Sequence, residues 1–164
     1  MIRAAALAVV LLLGGCTLRP LYGGGGDGAV ATTLRSVDVA PIEGRAGWLV
    51  RTALEDRLGA TGEAARYRLQ IELDDDITGF GIRPDNAVTR ERRSLRARYQ
   101  LVDASLGTVV LDATAGSDAG IDVLSSEYAT VAAEQTALER LAQEVADQIV
   151  SRVALYVART GEGQ

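Results

Sequence analysis

The chain has 164 residues, of which 17 are basic and 22 acidic, giving a net charge of −5 at pH 7. Every basic residue is an arginine, and the sequence contains no lysine, no histidine and a single cysteine. This composition excludes histidine-dependent catalysis, histidine or multi-cysteine metal sites and lysine chemistry, so we predict a protein that is not an enzyme and needs no cofactor.

Residues 1–15 have the pattern of a secretory signal peptide. A short positive start precedes an apolar run over residues 4–13, which is too short to span a membrane as a helix. The run ends at Leu13-Gly14-Gly15-Cys16, which resembles the lipobox of bacterial lipoproteins. The resemblance implies cleavage before Cys16 and acylation of its thiol, with more than one acyl chain holding the protein firmly on a membrane. The alternative is a buried cysteine beside an ordinary cleavage site.

Residues 16–33 are predicted to carry the lipidated cysteine and a flexible tether. Five of the six residues from 23 to 28 are glycines, a composition typical of flexible linkers. Thr17 stands where an aspartate typically retains a lipoprotein at the inner membrane. The resemblance therefore implies a lipid-anchored protein on the periplasmic face of the outer membrane, with its folded domain over residues 34–160.

The first half of the domain predicts a strand, a helix and a long hairpin. Residues 34–40 are rich in β-forming residues and stop at Pro41, whereas residues 47–58 place Val50, Leu54 and Leu58 on one helical face, before Gly59 or Gly62. Apolar and polar residues then alternate from Tyr67 to Leu73 and from Leu95 to Leu101. This alternation predicts two strands, joined through a turn at Pro84-Asp85-Asn86.

The second half predicts a fourth strand over residues 108–115 and a long helix over residues 126–159. Leu141, Val145 and Ile149 follow helical spacing and are predicted to lie against the sheet, and Trp48 and Tyr156 are also expected in the core. The order β-α-β-β-β-α predicts an α+β fold, in which two helices pack on one face of a mostly antiparallel four-stranded sheet. The other face of the sheet is predicted to be polar.

Three segments of the chain resemble a known family. CTLRPLYG at residues 16–23 resembles the CGFRPLYG start of the lipopolysaccharide-assembly lipoprotein LptE of alphaproteobacteria, with Thr17-Leu18 where the family often has Gly-Phe. PIEGRAGWLVRTALEDRL and SEYATVAAEQTALERLAQEVADQIVSRVALY resemble that family's first and last helices. The resemblance implies a partner and plug of the LptD β-barrel that assists its folding and helps to deliver lipopolysaccharide. The alternative is an auxiliary lipoprotein of an ABC-type lipid transport system.

Arginines are concentrated on the third predicted strand and its approach, at positions 90, 92, 93, 96 and 98. Alternation places Arg96 and Arg98 on the face away from the helices, where Arg66 and Arg68 of the neighbouring strand are expected to join them. Guanidinium groups pair bidentately with phosphates, and the family resemblance implies contact with lipopolysaccharide. The alternatives are pairing across strands with Glu72 or Glu91, or contact with the barrel wall.

Asp74-Asp75-Asp76 is the densest group of carboxylates in the sequence. It could hold a divalent cation, but an acidic strand end that solvates the hairpin is the favoured interpretation, and we predict no metal site. The acidic net charge and the predicted compartment exclude a nucleic-acid partner.

Overall fold

The structure is a computed structural model that describes residues 28–59, 65–82, 88–123 and 126–161. The helices of this part of the chain are α1 (Ala29–Arg35), α2 (Gly44–Leu58) and α3 (Glu127–Gly161). Its strands are β1 (Val37–Val39), β2 (Tyr67–Ile82), β3 (Val88–Asp103) and β4 (Val109–Asp122). The predicted signal peptide, Cys16, the glycine tract and the turn at residues 84–86 lie outside the described residues.

The four strands form one sheet in the order β1-β2-β3-β4. β2, β3 and β4 are consecutive antiparallel neighbours, whereas β1 runs parallel to β2 and pairs with it only at Tyr67, Arg68 and Leu69. The predicted α+β fold with a mostly antiparallel sheet is confirmed. α1 is an additional element, so the domain contains three helices where two are predicted.

Alternation along the strands divides the sheet into an inner face, covered by α2 and α3, and an outer face on the opposite side. Leu69 of β2 and Leu95, Tyr99 and Leu101 of β3 point inward and are almost completely buried. α3 meets them with a stripe of fully buried side chains, Leu141, Val145 and Ile149 among them. The predicted position of these three residues in the core is therefore confirmed.

The amino-terminal part of the domain differs from the prediction. α1 occupies residues predicted as tether and as the start of the first strand, which leaves only Val37–Val39 in β1. A seven-residue helix is too short to be stable by itself. α1 is held by tertiary packing, with Leu34 in the hydrophobic core.

α2 begins three residues earlier than predicted, at Gly44, and ends where Gly59 adopts a left-handed conformation with φ 63°. A glycine after the last helical residue is favoured there because it has no Cβ to clash. The prediction that Trp48 lies in the core is wrong: its side chain is 64% exposed, since Val50, Leu54 and Leu58 form the buried side of α2. Tyr156 is partly buried against the core.

Three of the strands are longer than the patterns predict, and β3 already begins at Val88. β2 continues through Asp74, Asp75 and Asp76 to Ile82, so these residues lie within a strand and not at its end. β4 continues past residue 115 to Asp122. Aspartate and glycine have low strand propensity, but pairing with β3 over its whole length keeps both segments extended.

One charged link ties the hairpin of β2 and β3 to α3 on the inner face. Arg93 donates to both carboxylate oxygens of Asp75, at 2.8 and 2.6 Å, and to the backbone carbonyl of Glu134 at 2.9 Å. The side chains of Arg93 and Asp75 are only 12% and 23% exposed. Such a bidentate pair is stronger than an exposed one, and it fixes the hairpin against the helix.

Candidate functional site: the arginine row on the outer face

Four arginines of β3 lie in one line on the outer face. Arg90, Arg92, Arg96 and Arg98 alternate with inward residues, and Ser94 separates them into two pairs. We call this set the arginine row. Arg93 is adjacent in sequence but points to the inner face, where it binds Asp75.

Arg96 lies flat across β4. Its guanidinium bonds both carboxylate oxygens of Asp118, at 2.9 and 2.8 Å, and the carbonyl of Ser117 at 2.9 Å. Gly116 is the cross-strand neighbour of Arg96, and a Cβ at Gly116 would lie 2.5 Å from the Arg96 Cδ. The missing side chain at Gly116 therefore makes the room in which the arginine stem lies.

The other members of the row have their own partners. Arg98 is 3.1 Å from Asp112, which also accepts a hydrogen bond from Gln100 at 2.8 Å. At the far end, Arg90 is 3.0 Å from Asp122. The guanidinium of Arg92 lies over the ring of Phe80, 5.7 Å from its centroid. Each arginine of the row thus contacts a neighbouring strand.

Arg66 and Arg68, which were expected to join Arg96 and Arg98, do not reach them. Arg68 is on the outer face but lies four residues along β2 from Glu72, the neighbour of Arg98, a separation of roughly 13 Å. Its nearest carboxylate is Asp38 of β1, at 3.7 Å. Arg66 precedes β2, and its guanidinium lies 5.2 Å from the ring centroid of Tyr67, a buried inner-face residue.

Arg90 and Arg92 are the members of the row that the sequence-based site leaves out. The same alternation that places Arg96 and Arg98 extends to both, so the signal was present in the sequence. The sequence does not identify the acidic partners, because Asp118 and Asp122 lie beyond the predicted fourth strand and the register of β4 on β3 is not predicted. The pairing alternative with Glu72 or Glu91 named the wrong carboxylates, although cross-strand pairing itself occurs.

Two of the carboxylates beside the row, Asp118 and Asp112, have lowered pKa values. Hydrogen bonds from Ser94 and then from Arg96 lower the pKa of Asp118 below its ordinary value. Hydrogen bonds from Arg98 and then from Gln100 lower the pKa of Asp112 in the same way. Three members of the row, Arg90, Arg96 and Arg98, therefore lie beside carboxylates, and the row is not a free positive patch.

A groove of about 650 Å³ crosses the outer face at the level of Arg96 and Arg98. It is lined by all three long strands, with carboxylates of β2 on one side and Thr114 and Gly116 of β4 on the other. The arginines remain accessible from it, since their side chains are 49% and 64% exposed. Exposed ion pairs of this kind contribute little to stability, so an anion such as a phosphate can replace the carboxylate at small cost.

The described residues give no sign of metal or membrane-spanning chemistry. Among them, no three His, Cys, Asp or Glu side chains converge as metal ligands, and Asp74, Asp75 and Asp76 are divided between the two faces by alternation. Within the same residues, no helix combines the length and apolar character needed to cross a membrane.

Solved structures share this fold. A putative lipoprotein from Caulobacter crescentus is similar over 79% of this chain and 96% of its own, with 29% identity and a TM-score of 0.67. A minor lipoprotein from Acinetobacter baumannii is 15% identical over 74% of this chain and 92% of its own, with a TM-score of 0.59. The rare lipoprotein B from Shewanella oneidensis is 12% identical over 77% and 96%, with a TM-score of 0.53. The chain has the small α+β domain that these lipoproteins share.

The sequence also matches a family model. The model of LptE, described as lipopolysaccharide-assembly, covers residues 34–153, which include β1, α2, the whole hairpin, β4 and most of α3. The chain therefore belongs to the LptE family. A search of curated proteins finds no match.

Proposed function

We propose that this protein is a lipoprotein of the outer membrane that associates with an LptD-like β-barrel and assists lipopolysaccharide assembly without enzymatic activity. The observation that carries the proposal is the family match over nearly the whole folded domain. The lipobox-like sequence at Cys16 supports attachment to the membrane by acyl chains on the periplasmic face.

The partner is tested by affinity purification of the full chain from separated inner and outer membranes. We expect an outer-membrane β-barrel to co-purify with it, and depletion of the chain to reduce lipopolysaccharide at the cell surface. Recovery with an inner-membrane ABC transporter instead would contradict the proposal and favour the auxiliary lipid-transport protein.

The arginine row supports direct contact with lipopolysaccharide. Its guanidinium groups are spaced along the exposed outer face of β3, and a guanidinium binds a phosphate oxygen pair as well as it binds a carboxylate. Arg96 and Arg98 are the central candidates because they border the groove. Arg66 and Arg68 lie toward one end of the sheet and would contact a separate part of a large ligand.

This contact is tested by the double variant Arg96→Glu/Arg98→Glu in a lipopolysaccharide-binding assay. A matched control, Arg45→Glu/Arg140→Glu, makes the same change in net charge at two exposed helix positions, 58% and 61% exposed. We expect the first variant to bind at least tenfold more weakly and the control to bind like the native chain. Binding should also weaken with salt, because exposed charges are screened over about 8 Å at physiological ionic strength.

Two results would exclude lipid contact at the row. A folded Arg96→Glu/Arg98→Glu variant that binds lipopolysaccharide normally would show that the lipid binds elsewhere. The same variant failing to associate with the barrel while retaining lipid binding would identify the row as a protein interface.

A further inference from the structure

β2 has a neighbour along its whole length on one side only. β3 pairs with it from Tyr67 to Ile82, whereas β1 covers only Tyr67, Arg68 and Leu69 on the other side. The last link is the Ala40 N–H, which donates to the Leu69 carbonyl at 2.9 Å. Among the described residues, the pairing with β1 stops there. Beyond Leu69, no described strand covers this side of β2.

The direction of the backbone groups follows from the β1 contacts. The Tyr67 N–H and the Leu69 carbonyl both point toward β1. Backbone groups alternate sides along a strand, so those of Ile71, Leu73, Asp75, Ile77 and Gly79 also point away from β3. Taken as whole residues, all positions from 74 to 80 are exposed, although the Asp75 side chain itself is only 23% exposed. We call residues 71–79 on this side of β2 the open edge.

The outer edge of β4, unlike that of β2, is covered by a helix side chain. At its centre the Gln148 side chain of α3 donates to the Gly116 carbonyl and accepts from the Gly116 N–H, both at 3.1 Å. A helix side chain thus satisfies both backbone groups of one edge residue, as a neighbouring strand would. Uncovered edges are templates for pairing with another chain, and the open edge of β2 has no such cover among the described residues.

Three carboxylates line the open edge on the outer face. Glu72, Asp74 and Asp76 point outward at every second residue. The neighbouring arginines, Arg96 and Arg98, form their ion pairs with Asp118 and Asp112 of β4 instead. Within the described residues, none of the three β2 carboxylates forms an ion pair, although Asp76 accepts a hydrogen bond from Thr78 at 2.7 Å. Their period of two matches the side-chain period of a paired strand.

We propose that the open edge binds an extended segment of a partner protein that carries basic residues at alternate positions, which adds a fifth strand beside β2. The backbone groups of residues 71–79 supply the ladder, and Glu72, Asp74 and Asp76 select the basic side chains. The same carboxylates disfavour a second copy of this chain, because two such edges would place like charges opposite one another. The inference does not depend on lipid contact at the arginine row.

The test uses the full-length chain and amide hydrogen exchange followed by NMR. The probe is a synthetic nine-residue peptide that alternates arginine with valine. In the free protein, the amides of residues 71, 73, 75, 77 and 79 exchange fast, while the even-numbered amides of β2, bonded to β3, exchange slowly. The peptide is expected to slow the odd-numbered amides at least tenfold and to leave the even-numbered ones unchanged.

Two controls separate strand pairing from charge attraction. N-methylation of one alternate set of peptide amides should abolish binding, and methylation of the other set should preserve it, because only one edge of the peptide faces β2. The variant Glu72→Gln/Asp74→Asn/Asp76→Asn should bind the peptide at least tenfold more weakly. The matched control removes three acids from the helices and should bind the peptide normally; it is Glu55→Gln/Asp56→Asn/Glu139→Gln.

Four outcomes would overturn the proposal. They are the absence of protection at the odd-numbered amides, equal binding of the two methylated peptides, unchanged affinity in the β2 variant, and concentration-dependent protection of the same amides in the free chain. The last would identify a second copy as the occupant.

Discussion

Gly116 sets the position of Arg96, which contributes to the lowered pKa of Asp118. Because a Cβ would lie 2.5 Å from the Arg96 Cδ, Gly116→Ala must displace the arginine stem and weaken its bidentate bond to Asp118. The pKa of Asp118 should then rise toward its ordinary value, but only in part, since the hydrogen bond from Ser94 is the larger cause of its lowering. Carbon-13 NMR titration of the carboxylates measures this shift.

Gly120→Ala is the matched control for this substitution. Gly120 lies on the same strand and the same face, and nothing stands within 4 Å of the position a Cβ would take. The Asp118 titration should be unchanged in this variant. An equal pKa shift in both variants would mean that alanine perturbs β4 generally and that Gly116 has no special role.

Glu91 is a second residue whose pKa is shifted by its surroundings. It points to the inner face, where its Oε2 has no hydrogen-bond partner, and burial followed by the nearby Glu134 carboxylate raises its pKa above the ordinary 4.5. A raised acid pKa means that the folded state favours the protonated form. This stabilising effect is complete below pH 4.5 and is lost as the pH rises through the pKa of the folded protein.

Glu91→Gln should therefore raise the free energy of unfolding at pH 7, by roughly 0.5 kcal/mol, the scale of partly exposed charge pairs. The gain should disappear below pH 4.5, where the native glutamate is protonated as well. Denaturant unfolding at the two pH values measures the difference. Glu139→Gln, an exposed helix position beside Arg45, should show no gain at either pH, and equal gains in the two variants would contradict this account.

At the scale of single elements, the sequence predicts those that have a periodic apolar pattern. It misses those that form only through tertiary packing. Strands β2 and β3 and helix α3 have strict apolar spacing, so their type and buried faces were predicted from sequence. α1 was missed because Ala29–Arg35 has no pattern beyond one turn and forms through its contacts with the core. Trp48 was assigned to the core by its apolar character, but its position on α2 faces away from the sheet.

α3 offers a direct test of this packing. Leu141 is fully buried between helix and sheet, so Leu141→Ala should lower the free energy of unfolding by about 2–5 kcal/mol, through lost burial and the cavity left behind. Leu155 is on the same helix but 39% exposed, so Leu155→Ala should cost clearly less. Chemical denaturation of both variants gives the comparison, and similar costs would mean that α3 is rotated relative to the sheet.

At the scale of the whole molecule, the sequence predicts the fold but only part of the candidate site. Alternation assigns Arg96 and Arg98 to the outer face, but it contains no information on which strand lies beside β3 or in what register. The register places Asp74 and Glu72 directly opposite Arg96 and Arg98, yet these arginines bind Asp118 and Asp112 of β4. The direction in which each side chain extends depends on the packing of the complete sheet and not on any local pattern.

Membrane attachment through an acylated Cys16 is a prediction about the whole chain, and a single substitution tests it. If Cys16 is the acylated residue, Cys16→Ser should leave the precursor uncut and without lipid. The domain itself should remain folded, because residues 28–161 supply the core described above. Globomycin-sensitive processing and membrane fractionation measure the effect, and normal cleavage with outer-membrane retention of the variant would contradict acylation at this position.

If the protein is attached to a membrane by its amino-terminal end, the short pairing of β1 has a mechanical consequence. Any pulling force on that end enters the sheet through α1 and then β1, which is three residues long and bonded to a single neighbour. The antiparallel strands β2, β3 and β4 are joined to one another along most of their length and carry little of this load at first. β1 is therefore the first strand that such a force would detach. Its detachment would leave the other strands paired and would uncover β2 along its full length, from Tyr67 to Ile82.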